Sequence, residues 1–384
     1  MSIGSRLERA LGILALASTA GASASSDVEQ AFVAKEAALG NSCVPSVADS
    51  SGIAGWYTPP VEILLVNVQN PLVFDAKIGG NVLALGTTQG IRLYGLSANG
   101  LPPVLKQTYN NFGGNLAVSP SGNEVANSAG QNSFVFSRKV GSVWSQPQFL
   151  PGLAVAYSPD GTELAVTGLD QTVRIGTRNA QGNWELGLTI ALPKPDGSFG
   201  SELVWTQDRL VISSNSLLYA YRKASGAYEL AQVLPNQFER LSEQRFGNKI
   251  IGNGGHYVVA YPRNASGFQR GQPDYFPINA FGVARGLSGQ KIAGFGNRFL
   301  SGECALHPVF FVSNQANPGS NKLVLTNPGT ATDAFDFDGR SAVMVVQGPA
   351  PSFTYRVYFT TRDRIFGGNA PEPGEDGVGP GGFE

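Results

Sequence analysis

The segment Asp333-Ala334-Phe335-Asp336-Phe337-Asp338-Gly339 places three carboxylates just ahead of a glycine. Hard oxygen ligands wrapped round a sharp turn suit calcium, so Asp333, Asp336 and Asp338 are the candidate metal ligands. No acid follows where a loop-closing ligand would stand. Asp338-Gly339 also reads as a plain hairpin turn, as Asp160-Gly161 does. The chain holds two histidines. His256 follows Gly252-Asn253-Gly254-Gly255, and His307 precedes Pro308. Glycines between strands do not make a phosphate loop, and neither histidine has a nucleophile near it in sequence. There is no G-x-S-x-G elbow. No glycine-rich turn has the strand–helix context of a dinucleotide fold. No catalytic residue is assigned, and calcium is the one cofactor to which the residues point.

The elements that would position these groups come from an exported chain. Arg6 and Arg9, with Glu8 between them, precede the apolar run Leu11 to Ala17. Ala22-Ser23-Ala24 then fits a signal-peptide cleavage site, so residues 1–24 are expected to be removed after Ala24. The run is too short to span a membrane, and no later stretch approaches one, so a secreted or periplasmic location is expected. Cys43 and Cys304 both survive cleavage. An oxidising compartment favours a disulfide between them. Neither lies in a CxxC pair, which argues against a zinc site.

The chain of 384 residues has 49 glycines, 42% hydrophobic residues, only 14% charged residues and a net charge of −1. That balance excludes a mostly disordered chain and gives no polyelectrolyte signal for nucleic acid. An internal repeat accounts for the glycines. Its clearest copy runs Val155-Ala156-Tyr157-Ser158-Pro159-Asp160-Gly161-Thr162-Glu163-Leu164-Ala165-Val166: a strand, a tight turn and a second strand. One apolar anchor per copy falls at Val82, Val125, Leu164, Leu210, Ile250, Ile292 and Val343, with steps of 43, 39, 46, 40, 42 and 51 residues. Spacing near 43 with turn residues in fixed phase matches a propeller blade. Several anchors are followed by a strand, a hairpin glycine and an aromatic, which supply the third and fourth strands. The aromatics are Trp144, Trp184, Tyr228 and Phe268. Arg138, Arg178 and Arg222 recur ahead of the hairpin glycine, with stems expected on aromatic surface.

The expected fold is therefore all-β: a seven-bladed β-propeller of four-stranded antiparallel blades over residues 57–366. The last blade shows only three strands, so 61–68 is expected to supply its fourth and close the ring. Residues 25–56 form an N-terminal arm with a short helix, where Ser26 and Glu29 make a capping box and Gly40 a stop. The longest blade, the sixth, carries an insertion from Asn297 to His307. Residues 367–384 form a Gly/Pro-rich acidic tail, expected to be disordered.

Ser158-Pro159-Asp160-Gly161-Thr162-Glu163-Leu164-Ala165, followed by Asp170-Gln171-Thr172-Val173-Arg174-Ile175, resembles a WD40 blade. The SPDG turn also resembles the blades of TolB-like and lactonase-like bacterial propellers. The strand–hairpin–aromatic unit is similar to FG-GAP repeats of exported proteins, whose calcium loop the Asp333–Gly339 segment resembles in part. Gly176-Thr177 stands where a WD40 blade has its Trp-Asp pair. These resemblances imply architecture, and architecture does not carry activity with it. The expected function is an exported, non-enzymatic scaffold that binds a protein or an extracellular polymer, with no nucleic acid partner. Two alternatives stand beside it. One is a lactonase-like hydrolase with a metal at the channel mouth, which needs acids or histidines from several blades to converge. The other is a structural component of the cell envelope.

Overall fold

In the computed structural model the described residues are 53–54, 61–63, 72–97, 102–110, 115–128, 133–191, 199–238, 240–241, 249–254, 257–270, 274–275, 285–286, 291–299, 306–314, 322–325, 331–337, 341–347 and 355–361. Every regular element among them is a β-strand. The helix expected near Ser26, the cleavage site, both cysteines and the acidic tail lie outside the described residues.

Strands β1 (Ile53–Ala54) and β2 (Val61–Ile63) come first. Sheet one holds β3 (Val73–Gly79), β4 (Val82–Thr87), β5 (Gly90–Gly95) and β6 (Val104–Tyr109). Sheet two holds β7 (Leu116–Val118), β8 (Glu124–Ser128), β9 (Ser133–Val140) and β10 (Val143–Pro151). Sheet three holds β11 (Ala154–Tyr157), β12 (Glu163–Thr167), β13 (Val173–Arg178) and β14 (Trp184–Ile190). Sheet four holds β15 (Leu203–Trp205), β16 (Arg209–Ser213), β17 (Leu217–Ala224) and β18 (Ala227–Pro235). Sheet five holds β19 (Arg240–Leu241), β20 (Lys249–Gly254) and β21 (Tyr257–Asn264), with its outer strand split into β22 (Gly267–Phe268) and β23 (Asp274–Tyr275). Sheet six holds β24 (Arg285–Gly286), β25 (Lys291–Phe299), β26 (Leu306–Asn314) and β27 (Lys322–Leu325). Sheet seven holds β28 (Ala331–Phe337), β29 (Ser341–Gln347) and β30 (Tyr355–Thr361). Each of the seven sequence anchors falls on the second strand of a different sheet.

Two strands from the start of the chain join the last two sheets. β2 pairs antiparallel with β30, Val61 opposite Phe359 and Ile63 opposite Val357. β1 adds a fifth, parallel strand to sheet six, Ile53 opposite Leu323. That second strand belongs to the expected N-terminal arm, 25–56, beyond the segment 26–40 read as helix. The open edge of β27 offers unpaired backbone groups, and an extended segment satisfies them. The two ends of the expected insertion in sheet six continue β25 and β26 in register, out to Phe299 and Leu306, and its middle lies outside the described residues.

Neighbouring sheets touch chiefly through their innermost strands, and β28 packs on β3, so the series returns to its beginning. The apolar clusters lie between sheets. Val82, Ala84, Ile91 and Leu93 pack on Leu116, Val118 and Val125 of sheet two. Leu83 and Leu85, on the other face of β4, pack on Val343 and Val345 of sheet seven. Period-2 alternation sends successive residues to opposite neighbours, so all six residues of β4 are buried. The outer strand β14 is instead buried only at intervals. The first turns of sheets one to three gather at one end. A Cβ at Gly80 would strike the backbone of Ser121, and one at Gly161 would come 3.7 Å from Pro120 Cδ. Both glycines have positive φ, which suits them to these turns. The innermost strands therefore begin together at the opposite, leading end.

Candidate functional site

The charged and polar side chains of the repeats meet across the boundaries between sheets. Glu124 is buried, one residue before the anchor Val125. Its Oε1 accepts from Trp184 Nε1 at 2.6 Å and from Tyr157 Oη at 3.0 Å. Its Oε2 faces Arg178 at 3.1 Å. Arg178 in turn lies 4.0 Å over the Trp184 ring, a stacking that favours the cation. Glu163 holds the same place before Leu164. It accepts from Lys223 Nζ at 2.9 Å and from Tyr228 Oη at 2.7 Å in sheet four. Burial, and then the Glu163 carboxylate, push the Tyr228 phenol well above its ordinary value. In sheet five, Arg263 reaches Asp208 of sheet four and lies 5.9 Å from the Phe268 ring.

These clasps share one register. Arg178 is opposite Trp184, Lys223 opposite Tyr228, and Arg263 opposite Phe268. Each aromatic faces the preceding sheet, as does Trp144 against sheet one. A second clasp lies further out. Gln148 takes both backbone groups of Trp184, accepting from its N–H at 2.7 Å and donating to its C=O at 2.6 Å. Gln232 does the same to Phe268, at 2.8 Å each way. Both glutamines sit 36 residues ahead of their aromatic. Of the three arginines singled out by spacing, Arg178 stacks on an aromatic. Arg138 donates to the Gly182 carbonyl in the next sheet, and Arg222 makes only an exposed contact with Glu229.

A third set of acids lines the inner side. Asp75 accepts from its neighbour Ala76 N–H and from Leu116 N–H of sheet two, each at 2.9 Å. Glu202 accepts from Leu241 N–H at 2.7 Å. Leu116 and Leu241 occupy equivalent positions, each starting or ending an innermost strand two residues past the partner anchor. Asp336 is buried, and its Oδ2 accepts from Ile78 N–H at 2.7 Å, joining sheet seven to sheet one. Burial raises the Asp75 carboxyl above the ordinary range; Lys77 and the two N–H groups oppose that shift, and Asp336 adds to it. Lys77, Asn115, Phe134 and Glu202 help to line a pocket of about 160 Å³ among the innermost strands of sheets one to five.

The proposed calcium ligands are placed only in part. Asp336 is committed to Ile78, the backbone of Asp333 lies in β28, and the Asp333 side chain and Asp338 fall outside the described residues. Among the described residues no three carboxylate, histidine or cysteine groups gather as metal ligands would. His256 is outside the described residues, and His307 is described only as backbone in β26 opposite Arg298. Asp160 is a turn residue. Its burial is outweighed by hydrogen bonds from Ser158 and Thr162, which hold its carboxyl below the ordinary range. Asp75 and Asp336 thus come together on the innermost strands, whereas Asp160 and Asp208 stand in first turns.

Sequence reasoning found the aromatics but missed their acceptors Glu124 and Glu163, and the glutamines. The signals were present: an acid one residue before two successive anchors, and a repeated 36-residue offset.

A series of four-stranded antiparallel sheets packed face to face, the last on the first, defines a β-propeller, and this one resembles WD40 domains. It is similar to the Neurospora crassa Pan2 WD40 domain, with TM-score 0.54, 11% identity, and coverage of 76% of this chain and 89% of that one. It is similar also to the Myceliophteria thermophila Cps50 (Swd1) beta-propeller domain, with TM-score 0.54, 11% identity, and coverage of 78% and 99%. No protein-family model matches the chain, and no curated protein matches its sequence.

Glu124→Ala would leave three donors without their buried acceptor, so a loss of about 3–5 kcal/mol is expected in urea unfolding. Glu163→Ala, whose Lys223 partner is 52% exposed, should cost about 1–2 kcal/mol. Equal losses would contradict this ranking. For Asp75, the folded chain disfavours the charged form. Its stabilising contribution is complete below the ordinary carboxylate pKa and is lost as pH rises through the raised value. The melting-temperature difference between native protein and Asp75→Asn should therefore move in the variant's favour from about pH 4 to about pH 7. A constant difference would count against the shift.

Proposed function

We propose that this chain is an exported, non-enzymatic propeller that binds a protein or extracellular polymer at the leading end of its sheets. One observation carries the reading. Leu72 and Phe74 at the start of β3, Leu153 ahead of β11, and Leu169 after β12 are all exposed, Phe74 at 51% and Leu169 at 58%. All four belong to the end where the innermost strands begin. Large apolar residues left in water suit contact with a partner; the likewise exposed Val140 and Val143 belong to an outer hairpin at the other end. Loops and strand ends there vary without disturbing the packing between sheets. The charged groups of the repeats, by contrast, are largely taken up by neighbouring sheets. No helix among the described residues is long and apolar enough to cross a membrane.

Export accounts for the two cysteines in this reading, with Cys43 bridged to Cys304. Its support is chain order: Ile53–Ala54 pairs on sheet six, and Cys304 belongs to the connection between β25 and β26 of that sheet. Thiol titration of denatured protein should find no free thiol before reduction and two after it; two before reduction would dismiss the bridge.

The binding surface is tested by photo-crosslinking in the native extracellular milieu. A Leu153→Glu, Leu169→Glu variant should lose the partner captured by the native protein. A Val140→Glu, Val143→Glu variant, altered at an outer hairpin of the opposite end, should keep it. Capture unaffected by the first pair would dismiss the leading end as the binding surface.

A further inference from the structure

The residue just before the sequence anchor changes sign partway along the chain. In sheets two and three it is Glu124 and Glu163. Each meets the basic residue that stands opposite the next sheet's aromatic, Arg178 and Lys223 respectively. Sheet four has Arg209 at that position, and Arg263 of sheet five, opposite Phe268, approaches it. Arg209 also stands directly opposite Arg222 on β17, and like charges so placed repel. The boundary between sheets four and five thus gathers three guanidiniums.

Two carboxylates answer them among the described residues. Asp208 bridges two of the three: its Oδ2 accepts from Arg209 Nη1 at 2.8 Å, and its Oδ1 accepts from Arg263. Glu229, opposite Arg222, accepts from it at 3.4 Å. Three cations against two anions leave one positive charge. Burial lowers the Arg209 guanidinium below its ordinary value; Asp208 opposes that shift, and Arg263 and Arg222 add to it. The acids are the more exposed members. Asp208 is 44% exposed and Glu229 58%, against 13% for Arg209 and 21% for Arg263. The fold therefore holds two of the cations more firmly than their counter-ions. Beside them lies an open pocket of about 600 Å³, lined by Gln207, Asp208, Arg263 and Asn264. Asn264 Oδ1 accepts from Ser266 N–H at 2.8 Å, which leaves its Nδ2 as a donor. Guanidinium and carboxamide donors round an open cavity suit an oxyanion, which arginine grips through parallel N–H bonds. A tetrahedral group has oxygens enough for guanidiniums that approach from two sheets.

We propose that the pocket at the first turn of sheet four, on its boundary with sheet five, binds a sulfate or phosphate group held by Arg209, Arg222 and Arg263. Asp208 competes with that group for the same donors and sets how tightly it is held. The site lies at the first-turn end, away from the exposed leucines and Phe74. It is therefore separate from the partner surface proposed above and does not depend on it.

The test is titration calorimetry at low ionic strength, where screening is weak, with dextran sulfate, inorganic sulfate and uncharged dextran as probes. The native protein should bind the sulfated polymer and not plain dextran. Arg222→Gln and Arg263→Gln should each weaken that binding at least about tenfold, the factor that one charged hydrogen bond supplies. Arg222 is 54% exposed, so its replacement spares the packing; should Arg263→Gln also lower the melting temperature, Arg222→Gln carries the reading. Asp208→Asn should tighten binding by removing the competing carboxylate. Lys106→Gln, an equal loss of charge at an exposed position on the outer strand of sheet one, should leave it unchanged. Displacement of the polymer by inorganic sulfate at a similar concentration of sulfate groups assigns the site to the free ion. Displacement only at far higher concentration assigns it to a group carried on a polymer. No binding of either sulfate probe, or equal losses in Lys106→Gln and Arg222→Gln, would overturn the site.

Discussion

Among the described side chains, no sheet has a core of its own. The central strands of the described sheets are apolar, and on β4 each face finds its partner on a different neighbour. Leu83 and Leu85 pack back on sheet seven, while Val82 and Ala84 pack forward on sheet two. Burial of apolar area is the main favourable term in folding, and here nearly all of it is created between sheets. One sheet alone would expose two greasy faces and would not stand. The same constraint makes the meeting of β28 with β3 necessary, since without it two faces would be left in water.

The polar groups follow from that arrangement. A buried boundary between sheets leaves backbone N–H groups and aromatic donors without water, and each needs an acceptor. Asp75, Glu202 and Asp336 supply it on the inner side. Glu124 and Glu163 supply it farther out, and Gln148 and Gln232 at the outer strands. Asp336, one of the three candidate calcium ligands, is thus engaged in holding sheet seven to sheet one. Buried carboxylates of this kind set orientation as well as energy, because an apolar boundary alone would tolerate sliding of one sheet on the next. The exposed leucines and Phe74 at the leading end are among the large apolar residues that this scheme does not use, as are Val140 and Val143 at the opposite end.

Much was legible in the residues themselves. A period near 43, turns at constant phase and strands with apolar residues on both faces determined an all-β repeat of stacked four-stranded units. The reason is local: turn chemistry and strand periodicity operate within a dozen residues. The aromatics after the hairpin glycines were readable for the same reason, since their phase does not change from copy to copy. Only the tertiary structure decided what those aromatics and acids touch. Glu124 and Trp184 are 60 residues apart, and Asp336 and Ile78 are 258 apart. A carboxylate before a strand reads equally well as a metal ligand, a turn residue or a buried acceptor. Which role it takes depends on the sheet packed against it. The strand Ile53–Ala54 was unreadable on similar grounds, because two residues have no period and their place was decided by an open edge made 270 residues later.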